Sequence, residues 1–492
     1  MPALAVGSSL GSGLAVPLRP ALHPGRSPAC RDNAQKRVRH PDRAATAARS
    51  CGRARRRLAA AAAAAAPAAG DLDVDVCILG AGILGLCSAL VLLREDEHLK
   101  VALLDREVPC SGATGAGQGY LWLCHRDVGS PAFALAARSK QMWAELLAPA
   151  VPELSKQAVE WQAVGSMLLA TSEEEAAALR QRRDCLEAAG VEGAEVLTAA
   201  QVHQLEPSLA TGAVHAGLLL PSDSQVNGKA TAAALLRACE AHGPRFTALF
   251  HEAATQLVTG PTGRVEGVDT AARRVRAAHG VVVTLGAWSG GFLAQQLSDA
   301  RWEAMFWPRR GLLLEMPRPQ GMPAVRHGLM EASRMGYTAH YAHGSSSSSG
   351  QPPADSGLDI TFTTTTSAAG TLLVGSSREF CGFGREGEDA VVDAIMQRAA
   401  HFVPALGAVE RQDISVRSGP RPWAAAGTPW VGPVPGVEGL FLASGHEGSG
   451  LTLAPASAAL LMQHMLGEPA HLHRDVVDHL AVPSSMVPIL AE

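Results

Sequence analysis

Residues 75–106 read DVCILGAGILGLCSALVLLREDEHLKVALLDR, and this stretch decides the fold of the chain around it. VDVCIL at residues 74–79 predicts a short buried strand, and KVALLD at residues 100–105 predicts a second one. The apolar run between them predicts a helix that ends near Arg94. The strand, the helix and the second strand together predict one βαβ unit.

Three glycines, Gly80, Gly82 and Gly85, open the predicted helix with the spacing G-x-G-x-x-G. Small residues at this spacing can serve close packing alone, but a strand precedes them and Asp105 ends the next strand, twenty residues past Gly85. This context favours a cradle for a dinucleotide pyrophosphate. The first glycine permits the tight turn, the second lets the pyrophosphate approach the backbone, and the third lets helix and strand pack closely.

The helix start and Asp105 complete the interpretation of this motif. Unpaired N–H groups and a partial positive charge at the helix start would face the phosphates. The Asp105 carboxylate would accept hydrogen bonds from the ribose hydroxyls. The motif alone does not separate NAD from FAD, although its position at the start of the expected mature chain favours FAD.

The first 70 residues differ in composition from the rest of the chain. They hold twelve Arg or Lys residues against two Asp and no Glu, and end in RARRRLAAAAAAAAPAAG at residues 53–70. This composition is typical of an organellar transit peptide, and the alternative is a disordered basic tail. Because the segment lacks a clear amphipathic helix at its start, we expect the chloroplast, with the mitochondrion as the alternative.

The remaining chain has the composition of a globular protein. A length of 492 residues with 47% hydrophobic residues favours two or three domains. Residues 71–492 carry 30 basic and 44 acidic side chains, a formal charge of about −14, which makes nucleic acid an unfavourable partner. The longest uncharged apolar run, residues 77–93, is short for a membrane span. The cysteines show neither CxxC nor even pairing, which favours buried, reduced thiols.

Further elements follow the βαβ unit along the chain. A strand at 161–171 precedes a helix with Ser172 as N-cap and Glu175 closing a capping box, and Thr198 with Gln201 predicts a second box. Residues 228–241 predict an amphipathic helix, 245–285 a β-rich stretch, and 358–365 and 371–375 two strands. The run at 344–357 predicts a low-complexity surface insertion, and 439–467 predict a strand, a glycine turn and a helix.

Four later segments resemble the family of FAD-dependent amine oxidoreductases that includes D-amino-acid oxidase, glycine oxidase and sarcosine oxidase. They are GATGAGQGY (112–120), VVVTLGAWSGGFL (281–293), SGPRPWAAAGTPWVGPVPG (418–436) and ASGHEGSGLTLAP (443–455), in the family's order. The similarity covers nearly everything from about residue 72 to 470. It implies an α/β fold with a discontinuous Rossmann-like FAD-binding domain and an antiparallel β-sheet substrate domain.

The resemblance also implies which residues bind FAD. The helix after Gly450 would point its positive end at the N1/O2 edge of the flavin and stabilise the anionic reduced form. The implied cofactor contacts come from Gly80, Gly82, Ile83, Leu84, Gly85, Asp105, Arg106, Ala113, Thr114, Gln118, Gly119, Tyr120, Gly445, His446, Glu447, Gly448, Ser449, Gly450, Leu451 and Thr452.

For the substrate, the resemblance points to Arg421. In relatives that oxidise amino acids, the arginine of the matching G-x-R-P segment holds the substrate carboxylate, a task suited to a guanidinium because it binds carboxylates bidentately. The alternative is a structural arginine that anchors its loop. Arg309, Arg310 and Gly311 match a family segment entering the substrate domain and are weaker candidates.

Several positions depart from the family pattern. No lysine follows Lys229, and Leu373 falls near the position where the sarcosine-oxidase branch has a lysine that activates oxygen. Gly419 falls near the cysteine that ties FAD to the protein in that branch, so we expect noncovalent FAD. Ala426 replaces a frequent Asp, and the strand DITFTTTT (359–366) has no counterpart of the substrate-binding tyrosine of glycine oxidase. No metal site is expected, because the pairs His471/His473 and His340/His343 lack a third ligand.

These observations combine into one interpretation. We expect the FAD-binding domain at 71–125, 210–300 and 410–492, and the substrate domain at 126–209 and 301–409. The expected reaction is hydride transfer from the carbon bearing nitrogen of a small amine or amino acid to flavin N5, with oxygen or another acceptor reoxidising the flavin. The resulting imine hydrolyses to an oxo acid and ammonia. The alternatives are a flavin-binding assembly or scaffold protein with little turnover, and an NAD-dependent dehydrogenase, which the C-terminal segments disfavour.

Overall fold

The computed structural model describes residues 70–148, 152–334, 357–384, 387–467 and 469–488. Of the transit peptide predicted at 1–70 and the insertion predicted at 344–357, only Gly70 and Gly357 lie within these residues. So do His340 and His343 of the HxxH pair.

Eighteen strands occur in the described part of the chain. They are β1 Leu72–Leu79, β2 Val101–Asp105, β3 Tyr120–Leu121, β4 Ser166–Ala170, β5 Glu195–Thr198, β6 Ala216–Leu220, β7 Ser224–Gln225, β8 Phe246–Phe250, β9 Ala254–Thr259, β10 Val265–Thr270, β11 Arg274–Val283, β12 Phe306–Met316, β13 Gly328–Glu331, β14 Asp359–Thr366, β15 Leu372–Arg378, β16 Ser415–Ala424, β17 Trp430–Pro433 and β18 Leu440–Ser444.

The α-helices of the same residues alternate with these strands. They are α1 Ile83–Glu95, α2 Ala113–Ala116, α3 Pro131–Leu146, α4 Glu173–Ala188, α5 Ala199–Leu205, α6 Gly228–Glu240, α7 Ser289–Leu297, α8 Glu388–Phe402, α9 Gly450–Leu466 and α10 Arg474–Leu480. Short 3-10 turns at Gly286–Trp288, Ala300–Ala304 and Glu447–Ser449 join some of them.

The first sheet contains the predicted βαβ unit. Its order is β17-β18-β11-β1-β2-β8, with β10 and β9 added on β11, and β1 runs parallel to both β11 and β2. Side chains of β1 alternate between two cores: Val76 and Ile78 join one with the helices, whereas Cys77 and Leu79 join the other. Burial on both faces explains the continuous apolar runs of these strands. The predicted strands and helix of the unit are confirmed.

The second sheet has the order β16-β12-β15-β14-β13-β4-β6-β5. Its pairs are antiparallel except β4 with β13, which run parallel. Helix α8 packs on one face, where Phe402 stacks on Phe362 of β14 with ring centroids 4.4 Å apart. The predicted α/β fold with a second β-sheet is therefore confirmed, and that sheet departs from the expected antiparallel pairing in one pair.

Two strands pair differently from the segment assignments made on sequence. Ala216–Leu220 pairs with β4 and β5, and Ser415–Ala424 pairs with β12 over ten residue pairs, so both belong to the second sheet. Both lie in segments that the sequence assigned to the FAD-binding part. Their partners are distant in sequence, and local patterns do not encode such pairing. Arg421 consequently lies on a strand of the second sheet.

The two predicted capping boxes have different outcomes. Thr198 and Gln201 exchange both capping hydrogen bonds at the start of α5. At α4, Ser172 accepts from the Glu175 N–H as predicted, but the Glu175 carboxylate reaches back to the N–H and hydroxyl of Thr171 instead of Ser172. The second half of that box is therefore wrong, because Thr171 offers the carboxylate two donors.

The described residues also bear on cysteines, membranes and metals. Cys77, Cys87, Cys110, Cys124 and Cys239 are buried, but Cys185 and Cys381 are exposed, so the expectation of buried thiols is wrong for these two. Within the described ranges, no helix combines the length and apolar character that crossing a bilayer requires. In the same residues, no cluster of three or more His, Cys, Asp or Glu side chains could hold a metal ion.

Candidate active site

A cavity of about 960 Å³ extends from the carboxyl end of β2 to β12 and β16 of the second sheet. One end is lined by the glycine turn after β1 together with Asp105 and Arg106, and the other by Arg421, Phe380 and Met330. Crevices at the carboxyl ends of parallel strands are where α/β proteins bind nucleotides. The first end is called the dinucleotide end below, and the second the substrate end.

Backbone contacts build the dinucleotide end. Gly80 adopts φ +106°, and a Cβ on Gly85 would lie only 1.9 Å from the Gly80 carbonyl oxygen, so neither position accepts a side chain. Thr284 closes the turn, because its hydroxyl donates to the carbonyl oxygens of Leu79 at 2.8 Å and Gly80 at 3.0 Å. No role for Thr284 is predicted from the sequence, although this residue lies inside the segment VVVTLGAWSGGFL (281–293).

Asp105 is held in place by two backbone donors. Its Oδ2 accepts from the Ala81 N–H at 2.8 Å, and its Oδ1 accepts from the Glu107 N–H at 2.9 Å. At the start of α1, the hydroxyl of Thr114 accepts from the Ile83 N–H at 3.1 Å, while Gly82 provides no side-chain cap. These bonds fix the carboxylate and the helix start at the cavity wall.

An aromatic group lies beside Arg106. The Arg106 guanidinium lies 4.5 Å from the Trp288 ring centroid, and Trp288 stacks on Phe383 with centroids 4.8 Å apart. All three side chains line the cavity. Cation–π and stacking contacts of this kind close one side of the dinucleotide end. No role for Trp288 or Phe383 is predicted from the sequence, because their contact joins segments almost a hundred residues apart.

The loop from Gly112 to Tyr120 passes between the two sheets. Gly119 has φ +97°, and a Cβ there would lie 1.8 Å from the Val226 carbonyl oxygen. The Gln118 amide reaches the second sheet, where its Nε2 donates to the Leu373 carbonyl and its Oε1 accepts from the Thr363 hydroxyl, both at 2.9 Å. Leu373, which falls near the position of the lysine in the sarcosine-oxidase branch, therefore contributes a backbone acceptor to Gln118 here.

The turn between β18 and α9 forms the wall near the substrate end. Helix α9 begins at Gly450 without a side-chain cap, and the Thr452 hydroxyl donates to the Tyr120 carbonyl at 2.7 Å. Ser449 accepts from Arg126 at 3.1 Å. His446 is buried, shares a 2.9 Å hydrogen bond with the Ser457 hydroxyl, and has its pKa lowered to about 3 by burial. The imidazole is therefore neutral near pH 7.

The cavity brings together most of the predicted cofactor residues. Gly85, Gly119, Gly445 and Thr452 are not among the residues that line it. The predicted residues that line it are Gly80, Gly82, Ile83, Leu84, Asp105, Arg106, Ala113, Thr114, Gln118, Tyr120, His446, Glu447, Gly448, Ser449, Gly450, Leu451 and Arg421.

Arg421 projects along the cavity wall over Gly311. A Cβ at Gly311 would lie 2.1 Å from the Arg421 Cζ, so only glycine leaves room for the guanidinium. The Arg421 Nη1 donates to the Ser377 carbonyl at 2.8 Å, which orients the group. Gly311 matches a family segment by sequence, and its contact with Arg421 explains why this position requires glycine.

The two neighbouring arginines have different surroundings. Arg309 lies opposite Arg421 in the β12–β16 ladder, is buried, and has its Nη1 3.5 Å from Oε1 of Glu447. Arg310 donates through Nε to Glu379 at 2.7 Å and through Nη1 to the Gly384 carbonyl at 3.1 Å. Arg310 does not line the cavity, so its role is to hold the segment after β15.

Comparison with known proteins identifies the family. The model of the DAO family, the FAD-dependent oxidoreductases, matches residues 75–464. The chain belongs to the DAO family. Glycine oxidase of Geobacillus kaustophilus (strain HTA426) is 27% identical to this DAO-family chain over 398 residues, covering 79% of the chain and 91% of that enzyme.

Solved structures show the same fold for this DAO-family member. Glycine oxidase of Bacillus cereus ATCC 14579 superposes with a TM-score of 0.67 at 20% identity, covering 83% of this chain and 99% of that one. Iminodiacetate oxidase of Chelativorans sp. BNC1 superposes with a TM-score of 0.62 at 23% identity, covering 81% and 97%. The chain is thus an FAD-dependent oxidoreductase with the mixed α/β fold of these flavoenzymes.

The residues of this DAO-family site fit FAD on structural grounds. The glycine turn and the start of α1, where Gly82 has no side chain to cap the helix, suit a pyrophosphate, since the helix dipole favours an anion there. The fixed Asp105 carboxylate suits a ribose, and the uncapped start of α9 provides a second positive end near the substrate end. The elongated cavity connects these groups in one volume.

Proposed function

We propose that this DAO-family enzyme oxidises a small amine or amino acid at the carbon that bears nitrogen. FAD, when bound, would supply the hydride acceptor at N5, and water would hydrolyse the imine product to an oxo acid and ammonia. The similarity to glycine oxidase and iminodiacetate oxidase supports a substrate with both an amine and a carboxylate. The acceptor that reoxidises the flavin is oxygen or another compound.

The position of Arg421 carries the proposal. Its guanidinium lines the cavity, is oriented by the Ser377 carbonyl, and occupies space that Gly311 leaves open. A guanidinium keeps its charge and forms two parallel hydrogen bonds to a carboxylate. A substrate held in this way has its orientation fixed before reaction, which is the main contribution a protein makes to a cofactor-driven step.

Other residues of the chain would orient and shield the reacting molecules. The start of α9 would place positive potential near the flavin's pyrimidine edge, and neutral His446 adds no competing charge. Phe380, Met330 and Leu313 line the substrate end with apolar surface that limits water. Gly419 offers no thiol at the position where the sarcosine-oxidase branch attaches FAD, which supports noncovalent binding.

Replacement of Arg421 tests the proposal. Arg421→Gln should lower kcat/KM for an amino-acid substrate by about 10² to 10³-fold, because a charge-assisted bidentate pair is lost. FAD content, measured from absorbance, should stay at the wild-type level. Arg417 of the same strand, which pairs with Glu315 outside the cavity, provides the control: its Gln variant should keep wild-type kinetics. Unchanged kinetics in Arg421→Gln would refute the assigned role.

A second candidate is a flavin-binding assembly or scaffold protein with little turnover. Leu373 falls near the position of the oxygen-activating lysine of the sarcosine-oxidase branch, and the lack of a lysine there favours the alternative. Anaerobic addition of glycine, sarcosine, proline and D-amino acids to the purified yellow protein decides between the two. Bleaching of the flavin by one of them establishes turnover, and the absence of bleaching by any supports the scaffold.

A further inference from the structure

Helix α9 contains a proline close to the cavity wall. The helix begins at Gly450, and both Gly450 and Leu451 line the cavity. Pro455 lies in the second turn of the same helix. A proline has no N–H, so inside a helix it removes the hydrogen bond to the carbonyl group four residues earlier. In α9 that carbonyl group belongs to Leu451.

Trp143 of helix α3 provides the donor that Pro455 lacks. Its indole Nε1–H donates to the Leu451 carbonyl oxygen at 3.0 Å, and the whole side chain is buried. A buried carbonyl group that loses its donor destabilises the structure around it. The Trp143 contact therefore replaces, from a neighbouring helix, the hydrogen bond that α9 cannot form within itself.

Ser139, one turn earlier on α3, makes a second contact with α9. Its buried hydroxyl accepts from the Ala456 N–H at 2.9 Å. Residues four apart lie on the same face of a helix, so Ser139 and Trp143 both present a polar group to α9. Neither residue lines the cavity. Helix α3 thus binds the backbone of α9 before and after Pro455 from outside the cavity.

Other segments also hold the first turn of α9. The Thr452 hydroxyl donates to the Tyr120 carbonyl oxygen at 2.7 Å. The Leu451 side chain packs near the start of α6, where a Cβ on Gly228 would lie 3.5 Å from the Leu451 Cδ1. The turn that lines the cavity is therefore fixed by three parts of the chain, and α3 contacts the backbone group that Pro455 leaves without a donor inside the helix.

We propose that Trp143, assisted by Ser139, positions the start of α9 and thereby sets how strongly this helix stabilises negative charge on the flavin. The partial positive charge of a helix start acts over the first turn only, so a small displacement of that turn weakens it. Trp143 is a positioning residue, because it acts through α9. This inference rests on the proposed function, which places the start of α9 near the pyrimidine edge of the flavin.

Sulfite is the probe that tests the inference without turnover. It bonds through sulfur to flavin N5, needs no other reactant, and leaves negative charge on the pyrimidine ring. The bond bleaches the flavin, so the sulfite dissociation constant can be measured by absorbance titration of the FAD-loaded enzyme. Trp143→Phe keeps an aromatic ring but removes the donor, and it should raise this constant by about 3 to 10-fold. The amount of bound FAD should stay at the wild-type level.

Pro455→Ala provides a specific rescue. The alanine N–H can donate to the Leu451 carbonyl group within α9, so the helix no longer depends on Trp143. The single variant should keep the sulfite dissociation constant within about twofold of wild type, and adding it to Trp143→Phe should restore the constant to that range. An alanine at position 455 does not refill the space of an indole, so a role of Trp143 in packing alone predicts no rescue.

Trp302→Phe is the matched control. Trp302 is also fully buried, and among the described residues no group accepts from its Nε1–H. It packs edge-on against Trp430 and does not line the cavity. This variant should lose folding stability through packing while its sulfite dissociation constant stays at the wild-type value.

Three results would overturn the inference. They are an unchanged sulfite dissociation constant in Trp143→Phe, an equal increase in Trp302→Phe, and a lack of rescue by Pro455→Ala. If Trp143→Phe does not fold, Ser139→Ala decides instead, because it removes the neighbouring contact at the loss of one oxygen atom. It should raise the constant by about 2 to 3-fold, and an unchanged value would count against the inference.

Failure of the proposed function gives a different result. If wild-type enzyme loaded with FAD does not react with sulfite, the placement of the flavin beside α9 is wrong and the inference falls with it. If sulfite bleaches the wild type as expected but no amine or amino acid does, the proposed substrate class is wrong, and the role of Trp143 is still decided by the variants.

Discussion

The two ends of the cavity are built by different means. At the dinucleotide end, backbone groups and glycines form the wall. Neither Gly80 nor Gly85 has space for a side chain, and the Thr284 hydroxyl donates to the Leu79 carbonyl in the same turn. At the substrate end, side chains form the wall, among them Arg421 on β16 and Met330 on β13. The dinucleotide end, which is formed by backbone groups, therefore selects its ligand by shape. The substrate end is formed by side chains, so a substitution there can change which ligand binds.

The largest expected effect comes from adding one carbon at the backbone-built end. Gly85→Ala would place its Cβ 1.9 Å from the Gly80 carbonyl oxygen, and backbone cannot move aside there. We expect a loss of more than about 3 kcal/mol in the free energy of unfolding, measured by denaturant titration, or failure to fold.

Gly82→Ala in the same motif is the informative control. The nearest atom to its added Cβ is the Thr114 hydroxyl at 3.5 Å, an ordinary contact distance. Stability without cofactor should therefore stay near wild type, while FAD affinity falls because the pyrophosphate cannot approach the backbone. Similar stability of the two variants would contradict the description of this end.

Adding one carbon at the substrate end should lower kcat/KM more than it lowers the free energy of unfolding. In Gly311→Ala the new Cβ would meet the Arg421 guanidinium at 2.1 Å, and this flexible side chain can move. We expect the free energy of unfolding to change by less than about 1 kcal/mol. The kcat/KM for an amino acid should fall by about 10 to 100-fold, because the displaced guanidinium no longer holds the carboxylate in place.

Gly407→Ala serves as the control for this substitution. Its added Cβ would lie 3.5 Å from the Ala400 Cβ, and Gly407 does not line the cavity. Wild-type kinetics are expected for it. A Gly311→Ala enzyme that loses stability but keeps its kcat/KM would show that the substrate end is not built around Arg421.

The smallest expected effect is a loss of folding stability at acidic pH. Burial lowers the pKa of His446 to about 3, whereas a histidine in the unfolded chain titrates near 6.5. The unfolded state therefore binds the proton first, and the stability that neutral His446 maintains above about pH 6.5 is lost as the pH falls towards 3. Between pH 6.5 and 5 the loss should be about 2 kcal/mol.

Urea unfolding at pH 7 and pH 5 measures this effect. His446→Asn should show a smaller decrease in the free energy of unfolding between the two pH values than the wild type. The exposed His479 is the control, and its Asn variant should keep the wild-type decrease. An identical pH dependence in wild type and His446→Asn would show that the imidazole is not buried in its neutral form.

The same contrast explains what could be predicted from the sequence. The glycine motif, Asp105 and the first βαβ unit follow a local pattern, because their contacts join residues near one another in the chain. Arg421 could be predicted as a substrate-binding residue only from the family resemblance. The Gln118 contact to Leu373 spans 255 residues, and the Arg309 contact to Glu447 joins β12 to the turn after β18, which no local pattern relates.

Strand pairing has the same physical limit. The apolar alternation in Ala216–Leu220 and Ser415–Ala424 predicts strands, but it does not say which sheet they join. Their partners are selected by long-range burial, and both strands pair with segments of the second sheet. The outline of the fold was thus predictable from sequence, while the assignment of edge segments to each sheet required the structure.

The crossing of the chain between Ala424 and Trp430 has a consequence for biosynthesis. Strand β16, with Arg421, belongs to the second sheet, whereas β17 and β18 complete the first sheet beside β11. The substrate end therefore lacks part of its wall until β16 and the turn after β18 have been made, and domains formed during synthesis must await these segments. A bound cofactor can be enclosed only after they have emerged from the ribosome.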